Sequence, residues 1–148
     1  MNKTHDRERG SAMVLAIGVL AVLAVLAVVI VALVTSEKKT AQAEYSQDRS
    51  FYSADAASEA GVNWIHNQYS PAATVDSLNN VYVNNTYTSL PNNSRYLFNI
   101  QYVGKQYRAG WSSEYKDYVY RISANGASAQ QSQAAVTVDA TRLYREGY

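Results

Sequence analysis

The sequence predicts an α+β protein in which one long N-terminal helix packs on a small antiparallel β-sheet. Three features predict this class: an unbroken apolar run, a one-sided helical stretch behind it, and a C-terminal half with alternating apolar and polar residues. The chain has 148 residues, enough for one small globular domain beside a membrane-type helix. We expect four segments, at residues 1–10, 11–35, 36–70 and 71–148.

The apolar run extends from Ala12 to Val34, and only Gly18 within it is not hydrophobic. As a helix it is roughly 35 Å long, which exceeds the hydrocarbon core of about 30 Å. Its Leu, Val and Ile residues favour insertion by on the order of −7 kcal/mol, with no opposing charge. It is longer than the apolar region of a cleaved secretory signal, and no small-x-small site follows Val34. A membrane-crossing helix is therefore predicted.

Basic residues lie on both sides of this run. Lys3, Arg7 and Arg9 precede it, and Lys38 and Lys39 follow it. Cytoplasmic loops normally carry the excess of Lys and Arg. The numbers of basic residues on the two sides are nearly equal here, so they leave the orientation open.

Small residues recur every three positions within the run, at Gly18, Ala21, Ala24 and Ala27. Small residues let a second helix approach closely in lipid, so this stripe predicts helix–helix packing. The alternative is that alanine is simply common in membrane helices, and the sequence leaves both interpretations open.

The stretch from Ser36 to Tyr69 continues the helix, since it has no proline and only one glycine. Small and apolar residues recur in it at steps of three and four, which predicts one face packed on the sheet. The members of this face are Phe51, Ala54, Ser58, Gly61, Trp64 and Ile65. Ser70-Pro71 is expected to stop the helix, because the residue before proline disfavours helical geometry.

Three later segments alternate apolar and polar residues: Arg95–Val103, Tyr118–Ala124 and Ala134–Thr141. This period predicts antiparallel strands with one buried face, which the helix must cover. A short strand at Val81–Val83 precedes them, and Asn125-Gly126 is expected to begin the turn between the last two.

Composition excludes several classes of function. The net charge is +1, from 13 Lys and Arg against 12 Asp and Glu, which argues against binding nucleic acid through its phosphates. There is no cysteine, and His5 and His66 are the only imidazoles. We find no nucleophile–base–acid set, phosphate loop or calcium loop, and therefore predict neither an enzyme nor a cofactor or metal site. The 13 tyrosines fit a half-buried sheet better than an adhesive surface.

Two segments carry a family resemblance. Arg7 to Leu15 (RERGSAMVL) resembles the leader and cleavage junction of a class III signal, with charged residues ending in glycine before an apolar helix. Phe51 to Gly61 (FYSADAASEAG) resembles the segment behind the membrane helix of PilX-type minor pilins of type IV pili. The segments Tyr120–Gly126 and Ala135–Val138 are more weakly similar to the closing hairpin of such proteins.

The resemblance implies a pilin-like fold and a chain processed by prepilin peptidase between Gly10 and Ser11, with methylation of the new Ser11 amine. It implies a cytoplasmic leader, a single pass through the bacterial inner membrane and a periplasmic head that later becomes extracellular in a filament. Its partners would be other pilin or pseudopilin subunits, the peptidase and the inner-membrane assembly platform. Residues 11–35 would then enter a bundle of helices at the filament core.

The fifth residue after the cleavage junction departs from the pattern of major pilins. They carry glutamate there, whereas this chain has Leu15. A buried carboxylate is costly unless it is paired. PilX-type and K-type secretion subunits share the absence, so we predict a minor subunit that initiates or tips the filament. Two alternatives stay open: a membrane-anchored periplasmic binding module, and a minor pseudopilin of type II secretion.

Overall fold

A computed structural model describes residues 3–72 and 76–146, with side chains from Ser11 onwards. Helix α1 is a single α-helix of 64 residues, Lys3–His66. Five strands follow: β1 (Asn80–Val83), β2 (Thr88–Ser89), β3 (Arg95–Tyr107), β4 (Tyr115–Ala127) and β5 (Gln133–Arg145). The expected α+β class, one long N-terminal helix with an antiparallel sheet, is confirmed.

The chain forms two compact units, Met1–Gln42 and Ala43–Tyr148. The second unit, here called the head, contains the helix residues Ala43–His66 and the whole sheet. Every side chain from Ser11 to Gln42 in the first unit is exposed. Within the predicted segment 36–70, the first buried side chain is Ser46, which contacts Ser128 and Ser132 between β4 and β5.

The first unit contains the apolar part of α1. The helix is long and apolar enough to cross a membrane, with a mean hydropathy of 3.4 over its most apolar window and none of that window buried. The large apolar side chains from Met13 to Val34 are each about half to three-quarters exposed.

The sheet is antiparallel, in the order β1-β3-β4-β5, with β2 also pairing with β3. A bulge between Tyr102 and Gly104 shifts the β3–β4 register. The β4–β5 register runs without irregularity from Tyr115↔Arg145 to Ala127↔Gln133. The strands are longer than the sequence predicts because pairing continues past the last alternating apolar residue, and the two-residue β2 was not predicted.

The turn between β4 and β5 corrects the expectation at Asn125-Gly126. Both residues lie inside β4, paired with Ala135 and Ala134. The turn is formed by Ser128–Ser132, where the Ser128 amide donates to the Ser132 carbonyl at 2.9 Å and Gln131 has a φ of +68°. Gly126 is needed for helix packing rather than for a turn, as the helix–sheet contact described below makes clear.

The helix ends at His66, four residues before the predicted stop at Ser70-Pro71. Arg142 donates from Nη1 to the Ile65 carbonyl, and the Gln68 amide donates to that carbonyl at 3.2 Å. The final turn is thus satisfied by a strand β5 side chain and by a tightened backbone bond, so the helix ends without proline.

The core lies between the helix and the middle strands. Its buried side chains include Ala57 and Ile65 from the helix and Phe98, Ile100, Tyr120, Ile122 and Ala124 from β3 and β4. The inward-facing residues of β5 alternate as predicted, yet Ala134, Val136, Val138 and Ala140 are only half-buried. Strand β5 forms the edge of the sheet, and the helix lies over β4 instead.

The predicted packing face of the helix needs one correction. Phe51 is 54% exposed and makes an edge contact with the exposed Tyr52, so it does not pack on the sheet. The buried face is centred instead on Ser46, Ser50, Ser53, Ala54, Ala57, Ser58, Gly61 and Ile65. At 100° per residue Phe51 falls at the border of this face, where the narrow contact with the sheet leaves it uncovered.

Candidate functional site

The surface of the apolar helix is the first candidate site. Gly10 and Ser11, the predicted processing junction, occupy consecutive helical positions in α1, while the side chains of the predicted leader 1–10 lie outside the described residues. Among the described residues, and apart from the adjacent backbone of its own helix, nothing lies within 4 Å of the place where a Gly18 Cβ would sit. Gly18 therefore has room for a neighbouring helix.

A shallow apolar depression surrounds Gly18. It is lined by Leu15, Gly18, Val19, Val22 and Leu23, and a second one is lined by Ala21, Val22, Val25 and Leu26. Ala24 and Ala27 are also exposed but line neither depression. The small residues thus lie on different sides of the helix, because residues three positions apart are rotated by about 300° around its axis.

Leu15, the fifth residue after the predicted processing junction, is 67% exposed. No ionisable side chain lies between Ser11 and Val34. The apolar segment consequently offers only van der Waals contacts to a neighbour, with neither an ion pair nor a buried charge to satisfy.

The helix–sheet contact of the head is the second candidate site, because it fixes how the sheet is carried on the helix. Ser46 Oγ lies 2.7 Å from both Ser128 Oγ and Ser132 Oγ, and Ser53 Oγ lies 2.8 Å from Ser94 Oγ. Ser50 and Ser53 also bond to carbonyls of their own helix. Small hydroxyl side chains bring the helix close to the sheet without leaving their polar atoms unpaired.

Two glycines complete this close approach. A Cβ on Gly126 would overlap the Ser50 carbonyl and the Ala54 amide nitrogen, and would lie 2.8 Å from the Ser53 carbonyl carbon. A Cβ on Gly61 would meet only the flexible Ile122 side chain, at 2.7 Å. The backbone of β4 therefore lies directly against the backbone of the helix at Gly126.

Among the predicted head-packing residues, Ala54 and Ile65 are buried at 0% and 1% exposure, and Gly61 is buried against Ile122. Trp64 is half-buried, with its ring 5.2 Å from the ring of Tyr82, which in turn stacks on Phe98 at 4.9 Å. Sequence reasoning missed the serines, although Ser46, Ser50 and Ser53 recur at helical spacing and could have been found by that signal.

Charged groups collect at the far end of the sheet, beside the β3–β4 connection. Glu146 accepts from Lys105 Nζ at 2.6 Å, from Lys116 Nζ and from the Tyr118 hydroxyl at 3.1 Å. These donors, Lys105 foremost, lower the pKa of the Glu146 carboxyl to about 2. In the core, burial raises the pKa of Tyr120 to about 12, so this hydroxyl stays neutral.

This end of the sheet also has an ion pair between the exposed Arg108 and the buried Asp117, and two exposed aromatic residues. Arg108 Nε lies 3.0 Å from Asp117 Oδ2, and the Trp111 and Tyr107 rings are 52% and 73% exposed. Within residues 11–72 and 76–146, no three His, Asp or Glu side chains are grouped as a metal would need.

No known protein family, curated protein or solved structure matches the chain.

Proposed function

We propose that this chain is a structural and assembly subunit of a type IV pilus or a related filament, of the minor, PilX-like kind. The observation that carries the proposal is the apolar stretch of α1, which has no buried side chain and belongs to the same helix as the part packed in the head. Water does not tolerate an exposed apolar surface of this length, so it must be covered by lipid or by other helices.

In a filament subunit, the apolar helix is covered first by lipid and later by other helices. The apolar helix first lies in the bacterial inner membrane, with the N-terminus cytoplasmic and the head in the periplasm. Prepilin peptidase then cuts after Gly10 and methylates Ser11, and the assembly platform transfers the helix into a bundle of sister helices. The depressions around Gly18 and Ala21 support this step, because they let a neighbouring helix approach closely.

Leu15 supports a minor rather than a major subunit. A glutamate at this position would be buried among apolar helices and would need a charged neighbour. This chain avoids that requirement, which suits a subunit at a filament end, with fewer sister helices around it. The filament would then contain it at low copy, beside other pilin or pseudopilin subunits.

The experiment replaces Gly10 with phenylalanine and compares it with Ser11→Ala, which leaves the glycine in place. We expect Gly10→Phe to keep residues 1–10 and to be absent from purified filaments, whereas Ser11→Ala is cleaved and assembled. Mass spectrometry of the assembled protein reports both cleavage and N-terminal methylation. An intact Met1 on assembled subunits, or this chain as the main filament band, would contradict the proposal.

A second candidate function is a membrane-anchored periplasmic binding module. The exposed Trp111 and Tyr107 at the β3–β4 connection favour it, since Trp and Tyr are over-represented among residues that dominate binding energies. In that case α1 is only an anchor, and Gly10→Phe would leave the activity of the protein unchanged. A type II secretion pseudopilin would behave like a pilin in this test but would co-purify with the secretion machinery.

A further inference from the structure

The two edges of the sheet are built differently. One edge is formed by β1 and β2, which have four and two residues, and β1 is interrupted by a register shift between Asn80 and Tyr82. The other edge is β5, which has 13 residues and pairs with β4 without a bulge. Short and bulged strands protect a sheet edge from further pairing, so only the β1 edge is protected.

The hydrogen-bond directions along β5 follow from its two ends. The Ser128 amide donates to the Ser132 carbonyl at one end, and the Glu146 amide donates to the Glu114 carbonyl at the other. Because the register between them is uninterrupted, the even-numbered residues of β5 exchange hydrogen bonds with β4. The amides and carbonyls of Ala135, Thr137, Asp139 and Thr141 therefore point away from β4, to the free edge.

The side chains of β5 lack the usual protection of an edge. From Ala134 to Thr141 there is no proline and no lysine. The single charge, Asp139, is paired with Arg121 on the outer face at 2.8 Å. On the inner face Val136 and Val138 are only half-buried, so apolar surface remains beside the free edge.

We propose that β5 is a docking site for an extended strand of a partner polypeptide, which adds to the sheet next to β5. Only an extended backbone can satisfy alternating amides and carbonyls spaced along a strand. The inner positions of the added strand would be small and apolar, to cover Val136 and Val138. Its outer positions would be threonine or a cation, facing Thr137, Asp139 and Thr141.

A second copy of this chain does not fit the same edge. Symmetric pairing of β5 with β5 needs a twofold axis perpendicular to the sheet, which reverses the direction of every helix packed on it. In the filament of the proposed function, on which this step rests, the head helices of neighbouring copies run in the same direction, so two copies do not pair in that way. Head-to-tail pairing would use the short, bulged β1 edge of the neighbour. The occupant is therefore a strand from a different polypeptide.

The test uses the full chain in detergent micelles and a labelled synthetic peptide of alternating valine and threonine, with one lysine to face Asp139. We expect saturable binding by fluorescence anisotropy. Hydrogen exchange should slow at the amides of Thr137, Asp139 and Thr141, while those of Val136 and Val138 are protected with or without peptide. This alternation distinguishes strand addition from contact with the surface.

The deciding variant is Thr137→Pro, which removes an amide donor from the free edge and leaves the β4–β5 bonds intact. It should weaken binding at least about tenfold, the effect of losing one good hydrogen bond. The matched control, Thr137→Val, keeps the amide and should bind like the parent. Thr141→Pro repeats the test at a second position if Thr137→Pro unfolds.

Three results would overturn the proposal: no peptide binding, equal binding by folded proline variants, or exchange protection elsewhere than at the edge amides. Self-association of the parent chain that Thr137→Pro abolishes would also overturn it, in favour of a second copy. Each of these outcomes leaves the Gly10 experiment unaffected, so failure of the docking site and failure of the proposed function are distinguishable.

Discussion

Gly126 shows how one residue sets the distance between the helix and the sheet. Its missing side chain lets the β4 backbone touch the helix backbone, where a methyl group would overlap Ser50 and Ala54. Backbone atoms at both sides of the contact cannot rotate away as a side chain can. Gly126 therefore tolerates an added side chain less well than Gly61, whose Cβ would meet only the Ile122 side chain.

We expect Gly126→Ala to lower the free energy of unfolding of the head by about 1–3 kcal/mol, the usual cost of overpacking a tight contact. Chemical denaturation followed by tyrosine and tryptophan fluorescence measures the loss. Gly104→Ala is the matched control in the same sheet, because its Cβ would meet nothing within 4 Å. Equal stability of the two variants would show that the close approach at Gly126 is not a constraint.

Glu146 makes the head sensitive to acid. Lys105 and Lys116 hold its folded pKa at about 2, below the ordinary value of 4.5. A depressed carboxyl pKa contributes stability that is fully present above pH 4.5 and is lost as the pH falls through about 2. Solvent around this exposed cluster limits the size of the effect.

We expect the Glu146 carboxyl to titrate near pH 2 by carbon-detected NMR, and to move towards 4.5 in Lys105→Met. Glu146→Gln should lose less stability than the parent between pH 4.5 and 2, since it has no carboxyl to protonate. Arg121→Met is the control for a general loss of cationic charge, because Arg121 pairs with Asp139 instead. A Glu146 titration unmoved by Lys105→Met would contradict this assignment.

At the scale of elements, the period of hydrophobic residues predicts which apolar side chains face the core. It does not predict which small polar side chains are buried. The alternation in β3, β4 and β5 places Ile100, Ile122 and Val138 on the inner face, as the structure has them. Period alone could not show that β5 lies at an edge and leaves Val138 half-buried. Strand order depends on contacts between distant parts of the chain.

In the helix, the prediction of the buried face was itself partly wrong. Its apolar residues suggested a face that included Phe51, but serines fill much of the buried face. Serine is ordinarily a surface residue, so hydrophobicity gives no signal for Ser46 or Ser53. Their burial depends on hydroxyl partners at Ser128, Ser132 and Ser94, which no local pattern reveals. Asn125-Gly126 was misjudged for a related reason, because a turn signal and a packing glycine look alike.

The contact of Ser46 with Ser128 and Ser132 predicts how much this helix position contributes to the stability of the head. We expect Ser46→Ala to lower the free energy of unfolding of the head by about 1–2 kcal/mol, since the buried Ser128 hydroxyl and the half-buried Ser132 hydroxyl lose a partner. Thr40→Ala is the control on the same helix, because its exposed hydroxyl bonds only to the Ser36 carbonyl. It should change stability by less than about 0.5 kcal/mol. Equal effects would mean that the Ser46 bonds contribute nothing to docking.

At the scale of the molecule, one helix combines an exposed apolar part with a part that packs in the head. Up to Thr35 the helix has an exposed apolar surface, long and apolar enough to cross a membrane, and from Ser46 it contributes buried side chains to the head. The exposed residues 36–45 separate these two parts. The apolar part therefore shares no contact with the core, which is what the proposed transfer from lipid to other helices would require.

This separation predicts that the head folds without the apolar helix. A fragment of residues 43–148 keeps Ser46 and every core residue, and residues 11–42 bury nothing of their own. We expect it to be soluble, with a thermal midpoint close to that of the full chain in micelles. A fragment of residues 54–148 is the matched control. It loses Ser46, Ser50 and Ser53, and it should melt lower or fail to fold. If the longer fragment were itself insoluble or unfolded, the apolar helix would be part of the folding unit, and the proposed transfer from lipid into a filament could not leave the head unchanged.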